Sequence, residues 1–113
     1  MIWFLIDTGS TESAISESEA SLAKIDISML PYVERGAWGF GGSFRYKVIN
    51  RPVELIFRST NGSYYTVPQS GFKVIPAEHA NPDVRRRMLE LTPSILGMDV
   101  LSKFQIQISR RKV

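Results

Sequence analysis

The chain has 113 residues, 43% hydrophobic and 22% charged, with a formal net charge of +3. These values are ordinary for one globular domain and argue against a strongly charged disordered chain, so we expect a single domain over residues 1–113. The absence of cysteine excludes disulfides and thiolate metal sites and favours a reducing compartment, with the cytoplasm as the default location. The opening apolar segment is too short for a signal peptide or a membrane span, so no membrane partner is expected.

Two basic clusters, Arg85-Arg86-Arg87 and Arg110-Arg111-Lys112, carry much of the positive charge. Neither cluster is interleaved with aromatic residues or placed in a nucleic-acid motif, so we expect solvated surface and no nucleic-acid partner. His79 is the single histidine, and no residue is spaced to complete a metal site or a catalytic triad with it. We therefore expect neither a metal nor a cofactor.

The first predicted element is an apolar strand, Ile2–Ile6, which we expect to be buried, with Trp3 in the core. It ends in Asp7-Thr8-Gly9, a turn sequence in which glycine accepts backbone angles that other residues avoid. Ala14–Ser16 is predicted as a short second strand. Ser16 and Glu19 have the spacing of a capping box, which predicts a short helix over 17–24.

The middle of the chain shows the two-residue period of strands. Strands are predicted within 32–37 and over 44–49, with Gly39-Phe40-Gly41-Gly42 between them as the tip of a hairpin. A second hairpin over 53–67 is predicted to turn at Asn61-Gly62, a strong two-residue turn signal.

The last third of the chain predicts further short elements. Asn81 is a suitable helix cap, Pro82 suits the first helical position, and Pro93 prevents the helix from continuing. In order, the predicted elements are a strand over 71–75, a helix from 82 to about 91, a buried strand over 94–97, a helix over 98–103 and a strand over 104–108. The whole pattern predicts a mostly-β fold with two or three short helices.

Two segments resemble the active-site elements of aspartic proteases. Leu5-Ile6-Asp7-Thr8-Gly9-Ser10 resembles their catalytic motif, and the segment from Ile95 to Leu101 resembles their C-terminal hydrophobic-hydrophobic-glycine strand and helix. Gly39-Phe40-Gly41-Gly42 lies between them, where the retroviral members carry a glycine-rich flap. With a single Asp-Thr-Gly, the chain is similar to the retropepsins, the half-size homodimeric branch, over residues 4 to about 108.

The resemblance implies a retropepsin-like acid protease barrel with one half-site per chain. It also implies an aspartic endopeptidase that acts as a homodimer on peptide or protein substrates. Amide hydrolysis needs a general base for water and a general acid for the carbonyl oxygen. Two carboxylates a few ångströms apart supply both, because they cannot both ionise easily and titrate as a pair. The second carboxylate would be the Asp7 of a copy related by a two-fold axis.

The resemblance also implies roles for the neighbours of the catalytic Asp7. Thr8 would contact the partner backbone and Gly9 would leave room for substrate. Ser10 would donate its hydroxyl to the carboxylate and so favour the ionised form, with activity at acidic to mildly acidic pH. The implied substrate-binding residues, which favour apolar side chains around the scissile bond, are Leu5, Thr11, Glu12, Gly39, Phe40, Gly41, Pro93 and Ile95.

Three features depart from the family pattern or leave alternatives open. Only six residues precede Asp7, so we expect either a truncated N-terminal strand or a sheet built with fewer strands. The segment 77–92 is longer than in compact viral members and is expected as a surface insertion near the substrate groove. Gly97 either marks the entry to a helix or lies where one chain segment passes beneath another.

Two other functions are alternatives. A retropepsin-like domain can dimerise or bind peptides without cutting them. The segment from Ile6 to Ser13 also resembles the first phosphate loop of actin-like and sugar-kinase ATPases. Those enzymes need two large lobes and a second phosphate loop, which a chain of this length does not supply.

Overall fold

The computed structural model describes residues 1–33, 37–38, 42–43 and 45–105, which contain ten short strands and three helices. For 37–38 and 42–43 the description is limited to the backbone. In chain order the elements are β1 Phe4–Ile6, β2 Ala14–Ser16, α1 Glu17–Leu22, β3 Tyr32–Val33, β4 Ala37–Trp38, β5 Gly42–Ser43, β6 Tyr46–Val48, β7 Val53–Arg58, β8 Tyr64–Gln69, β9 Lys73–Ile75, α2 Pro82–Leu91, β10 Ser94–Leu96 and α3 Met98–Leu101. The predicted mostly-β fold with short helices is confirmed. Within these residues no helix is both long and apolar enough to cross a bilayer.

The largest sheet has six strands in the order β1-β10-β2-β9-β6-β3. β1 lies at its edge and pairs in parallel with β10, so that Leu5 lies opposite Ile95. On its other side β10 pairs antiparallel with β2, where Ile95 lies opposite Ala14. The sheet therefore brings the segment before Asp7 beside a segment about ninety residues further along the chain.

Two antiparallel strand pairs lie outside this sheet. β7 and β8 form the predicted hairpin, in register from Val53 opposite Gln69 to Arg58 opposite Tyr64. Its turn contains Gly62 at φ +88°, a left-handed conformation that favours glycine. β4 and β5 form the second pair, within the predicted glycine hairpin, and Gly42, predicted at the tip, lies in β5. Gly39, Phe40 and Gly41, at its predicted tip, lie outside the described residues.

Within the described residues, the buried side chains form two core clusters. The first contains Ile15, Ala20, Ile49, Phe72 and Val74, and the second contains Leu96, Val100 and Leu101. Phe4 of β1 and Leu55 of β7 pack against both clusters. These two residues therefore connect the sheet, the hairpin β7–β8 and α3 into one packed unit.

Both predicted N-terminal caps are present. The Ser16 hydroxyl accepts a hydrogen bond of 3.3 Å from the Glu19 N–H at the start of α1. The Asn81 side chain accepts one of 2.9 Å from the Asp83 N–H at the start of α2, whose first residue is Pro82. These helices begin where predicted because a cap needs only residues within one turn of it.

The prediction of a buried first strand is wrong for the single chain. β1 forms, but Leu5 is 50% exposed and Ile6 is 58% exposed. Trp3, expected in the core, is 76% exposed. The physical reason is that β1 lies at the sheet edge, with a neighbouring strand on one side only, so fewer residues cover its side chains.

The end of the described chain also differs from the prediction. α3 ends at Leu101 rather than near 103, and Phe104 lies in a bend instead of opening a strand. The Phe104 ring packs edge-on against Phe57 and Tyr65, with ring centroids 5.3 and 5.2 Å apart. The rest of the predicted last strand, 106–108, lies outside the described residues.

Candidate active site

Asp7 is the first residue after β1 and is partly exposed. Its backbone N–H donates a hydrogen bond of 3.0 Å to the carbonyl of Leu96, which extends the pairing of β1 with β10. Its Oδ1 accepts a hydrogen bond of 3.0 Å from the backbone N–H of Gly9. The carboxylate is thus held by the loop that follows it.

Gly9 lies tightly against the Asp7 carboxylate. A Cβ atom on Gly9 would lie 3.3 Å from Oδ1 of Asp7, closer than ordinary van der Waals contact. The glycine therefore allows the N–H to approach the carboxylate closely. Thr8 lies beside it and is exposed, as contact with a second subunit would require.

The predicted bond from the Ser10 hydroxyl to the Asp7 carboxylate is wrong within this chain. The Ser10 hydroxyl donates instead to the carbonyl oxygen of Glu12, at 2.8 Å. The Ser10 N–H donates to the backbone carbonyl of Asp7, at 3.2 Å. Because the serine is buried and bonded at both groups, its role is to hold the shape of the loop.

The loop from Ser10 to Ser13 is attached to the start of α3. The Met98 N–H donates to the Ser10 carbonyl at 2.8 Å, and the Asp99 N–H donates to the Thr11 carbonyl at 3.1 Å. The Gly97 N–H donates to the Ser13 hydroxyl at 2.8 Å. The first N–H groups of a helix have no partner within the helix, and here the loop accepts them.

Ser13 and Asp99 complete this attachment, and sequence patterns did not identify the pair. Ser13, which is 2% exposed, donates its hydroxyl and its backbone N–H to the two carboxylate oxygens of Asp99. Asp99 also accepts from the Val100 N–H at 2.8 Å. No local pattern reveals such a pair, because the two residues are 86 positions apart.

Gly97 lies where two chain segments cross. A Cβ atom at Gly97 would lie 2.6 Å from the carbonyl carbon and oxygen of Glu12. Gly97 is also the residue that precedes α3, with φ −98°, which any residue can adopt. Both interpretations of this glycine therefore hold, but lack of space is the reason that it must be glycine.

Pro93 and Ile95, two predicted substrate-binding residues, line one apolar cavity of about 370 Å³. The other lining residues outside α2 are Tyr46, Ile75, Pro76 and Thr92. The opposite wall comes from α2, through Val84, Arg87, Met88 and Leu91. Leu5, predicted to wall the same pocket, is the register partner of Ile95 but is not among the lining residues.

Glu12, another predicted substrate-binding residue, forms an ion pair that sequence patterns did not reveal. The Lys73 Nζ lies 2.7 Å from Oε2 of Glu12, and the two side chains are 18% and 45% exposed. Lys73 lies on β9 opposite Ala14 of β2. The pair thus joins the loop after Asp7 to the large sheet. Thr11, which precedes Glu12, is exposed.

Other singled-out side chains have structural partners. His79 Nδ1 accepts a hydrogen bond of 3.0 Å from the Asn81 N–H just before α2. Arg85 pairs with Glu17 at 2.9 Å, and Arg86 pairs with Asp83 at 3.3 Å. Across the described residues, no three His, Cys, Asp or Glu side chains come together as a metal site.

No protein-family model matches this chain, and a search of curated proteins finds no match. Function is therefore inferred from the site itself. Its central feature is one carboxylate, Asp7, on a loop whose backbone is attached to α3 and whose outer side is exposed.

Proposed function

We propose that this protein is an aspartic endopeptidase of the retropepsin type, with one half-site per chain in an acid protease barrel. The observation that carries the proposal is the placement of Asp7 at the end of β1, bonded to the Gly9 N–H. The loop after Asp7 is attached to Gly97, Met98 and Asp99. Such rigid support is what a catalytic carboxylate needs, because a small displacement lowers the rate.

The exposed apolar side chains around Asp7 support a homodimer. Leu5 and Ile6 lie on the edge strand β1 just before Asp7, and Trp3 comes just before that strand. All three are half or more exposed. Exposed apolar side chains of this kind often mark an interface between proteins. A two-fold axis at this face would cover these side chains and bring the partner's Asp7 beside Asp7.

In the dimer the two carboxyl groups share one proton, because two negative charges at short distance repel each other. The ionised carboxylate accepts a proton from water as the water oxygen attacks the peptide carbonyl carbon. The other carboxyl group donates its proton to the carbonyl oxygen, which produces a tetrahedral diol. The carboxyl group that took the water proton then donates it to the nitrogen as the C–N bond breaks. The other carboxylate takes a proton from the diol, which becomes the new carboxylic acid, so the pair again shares one proton.

The substrates would be peptides or proteins with apolar side chains at the scissile bond. The buried Ile95 and the exposed Pro93 beside the apolar cavity support this preference. The hairpin β4–β5 would cover the substrate with Gly39, Phe40 and Gly41 at its tip. A cytoplasmic location stays a prediction from the absence of cysteine.

The test is hydrolysis of internally quenched peptides with pairs of apolar residues, at roughly pH 4 to 6, where such carboxyl pairs work. We expect the native protein to cleave them and Asp7→Asn to lose about 10²- to 10⁴-fold or more in rate. Asp26→Asn, which changes an exposed carboxylate hydrogen-bonded to Ser28, is the matched control and should retain activity.

Two results would overturn the proposal. Equal cleavage by the native protein and Asp7→Asn would show that Asp7 is not the catalytic group. If the protein instead sediments as a dimer and binds the peptides without cutting them, it is a non-catalytic retropepsin-like domain that dimerises or binds peptides.

A further inference from the structure

α2 presents an apolar stripe to an open cavity rather than to the core. Val84, Met88 and Leu91 have the i, i+4, i+7 spacing of one helix face, and all three line the cavity. Yet α2 contains no buried residue. Val84 is 37% exposed and Leu91 is 76% exposed. The apolar face of this helix is therefore only partly covered by the rest of the described chain.

The cavity has the size and chemistry of a binding pocket. Its volume of about 370 Å³ lies within the roughly 300–1,000 Å³ of small-molecule sites. Ile75 and Ile95 of the sheet and Met88 of α2 line it together, and Arg87 is the charged residue among those that line it. An apolar group of the size of a large side chain, bound in this cavity, would cover apolar side chains of both walls.

β10 takes part in both the cavity and the proposed active site. Ile95 lines the cavity and lies opposite Leu5, which precedes Asp7 by two positions. The next residue of β10, Leu96, accepts the Asp7 N–H. A peptide lying across Asp7 would therefore have a side chain within reach of the Ile95 end of the cavity.

Polar contacts fix α2 in place on its other sides. Asn81 caps its first turn, and Arg85 pairs at 2.9 Å with Glu17 of α1, whose side chain is 14% exposed. These contacts hold the helix without using its apolar stripe. The stripe thus remains available while the position of the helix is defined.

We propose that α2 is one wall of a pocket that binds a large apolar side chain of the peptide substrate, such as Phe or Leu. Met88, midway along the stripe, is the specificity-determining residue of this wall. The proposal rests on the proposed function, because it takes the groove beside Asp7 as the peptide site. It assigns a specific role to the segment 77–92, which the sequence predicted as a surface insertion near the substrate groove.

The absence of cysteine allows a direct test by thiol protection. Met88→Cys introduces one thiol in the cavity, and Arg86→Cys introduces one on the same helix outside it. Both are made with Asp7→Asn, so that bound peptide is not consumed. The probes are two capped hexapeptides that differ only in having Phe or Ala at both central positions.

We expect the Phe peptide to slow iodoacetamide alkylation of the Met88→Cys thiol by about tenfold at saturation. The Ala peptide should leave that rate unchanged, and neither peptide should protect the Arg86→Cys thiol. Equal protection by the two peptides, or equal protection at both positions, would overturn the pocket.

Cleavage by the native protein separates this inference from the proposed function. If the native protein cleaves the Phe peptide while the Met88→Cys thiol stays unprotected, the proposed pocket is wrong and the proposed protease function stands. If the thiol is protected but nothing is cleaved, the pocket stands and the protease is wrong.

A second variant covers the case in which Met88→Cys does not fold. Met88→Trp fills the cavity and should lower kcat/KM for the Phe peptide relative to the Ala peptide by about tenfold. Leu89→Trp, at the neighbouring position outside the cavity lining, is the control and should leave that ratio unchanged. An unchanged ratio in folded Met88→Trp would overturn the pocket.

Discussion

Ser13 donates its hydroxyl to Oδ1 of Asp99 at 2.6 Å and its backbone N–H to Oδ2 of the same carboxylate at 3.1 Å. The same hydroxyl accepts the N–H of Gly97 at 2.8 Å. This relationship joins the loop that carries Asp7 to the start of α3. The position of the candidate catalytic residue therefore depends on a segment near the other end of the chain.

Ser13→Ala should lower the free energy of unfolding by about 1–3 kcal/mol, because it leaves the buried Gly97 N–H without an acceptor. Urea denaturation followed by tryptophan fluorescence measures the change. Ser28→Ala is the matched control, since Ser28 donates the same two groups to Asp26 at an exposed position. Similar losses for the two variants would contradict the role given to Ser13.

Gly97→Ala should lower the free energy of unfolding by about 1–3 kcal/mol, because its Cβ would overlap the Glu12 backbone at 2.6 Å. Thermal unfolding measures the loss. Gly62→Asn is the control, because no atom lies within 4 Å of a Cβ there and Asn tolerates the left-handed conformation. If Gly97→Ala is as stable as Gly62→Asn, the two segments do not cross as closely as described.

Ser28→Ala should raise the pKa of Asp26 towards its ordinary 3.8. The pKa of this carboxyl is lowered mainly by the hydrogen bond from the Ser28 hydroxyl, and next by the bond from the Ser28 N–H. A lowered folded-state pKa stabilises the protein above the unfolded-state pKa, and this contribution is lost as pH falls through the folded-state value. The variant should therefore lose less stability on acidification than the native protein. An NMR titration of the Asp26 carboxyl carbon measures the pKa directly. If the pKa does not rise in Ser28→Ala, the Ser28 hydroxyl is not what lowers it.

The Glu12–Lys73 pair should show a coupling free energy of roughly 0.2–1 kcal/mol in a double-mutant cycle of Glu12→Gln and Lys73→Met. The coupling is small because Glu12 is 45% exposed, so that solvent screens the pair. It should still be measurable, because Lys73 is 18% exposed. The control is the Asp83–Arg86 pair, whose side chains are 82% and 70% exposed. Its coupling should be smaller, and equal couplings would mean that the burial of Lys73 has no effect.

Local signals in the sequence were enough to place most elements. Ser16 and Glu19 predicted the start of α1, and Asn81 and Pro82 predicted the start of α2, because capping involves residues within one helical turn. Asn61-Gly62 predicted the turn of the β7–β8 hairpin, because a turn also involves only residues that are close together in the sequence. The two-residue period predicted β7, but it did not reveal which strand lies beside which in the large sheet.

The candidate site was only partly predictable. Asp7 was identified from its motif, but the bond of the Ser10 hydroxyl to the Glu12 carbonyl was not. The Ser13–Asp99 and Glu12–Lys73 pairs join residues far apart in sequence, and no pattern in one chain specifies such partners. The sequence also did not predict that α2 forms a cavity wall, because an apolar stripe is typical of any helix that packs on a core.

By itself the sequence determined where α1, α2 and the turn of the β7–β8 hairpin lie, and it marked Asp7 as the residue of interest, since these depend on neighbours along the chain. Only the tertiary structure decided what surrounds that residue. It left Trp3, Leu5 and Ile6 exposed by placing β1 at a sheet edge, and it brought Gly97 against Glu12. The physical reason is that exposure and close packing depend on which distant segments meet, and that is decided only when the whole chain folds.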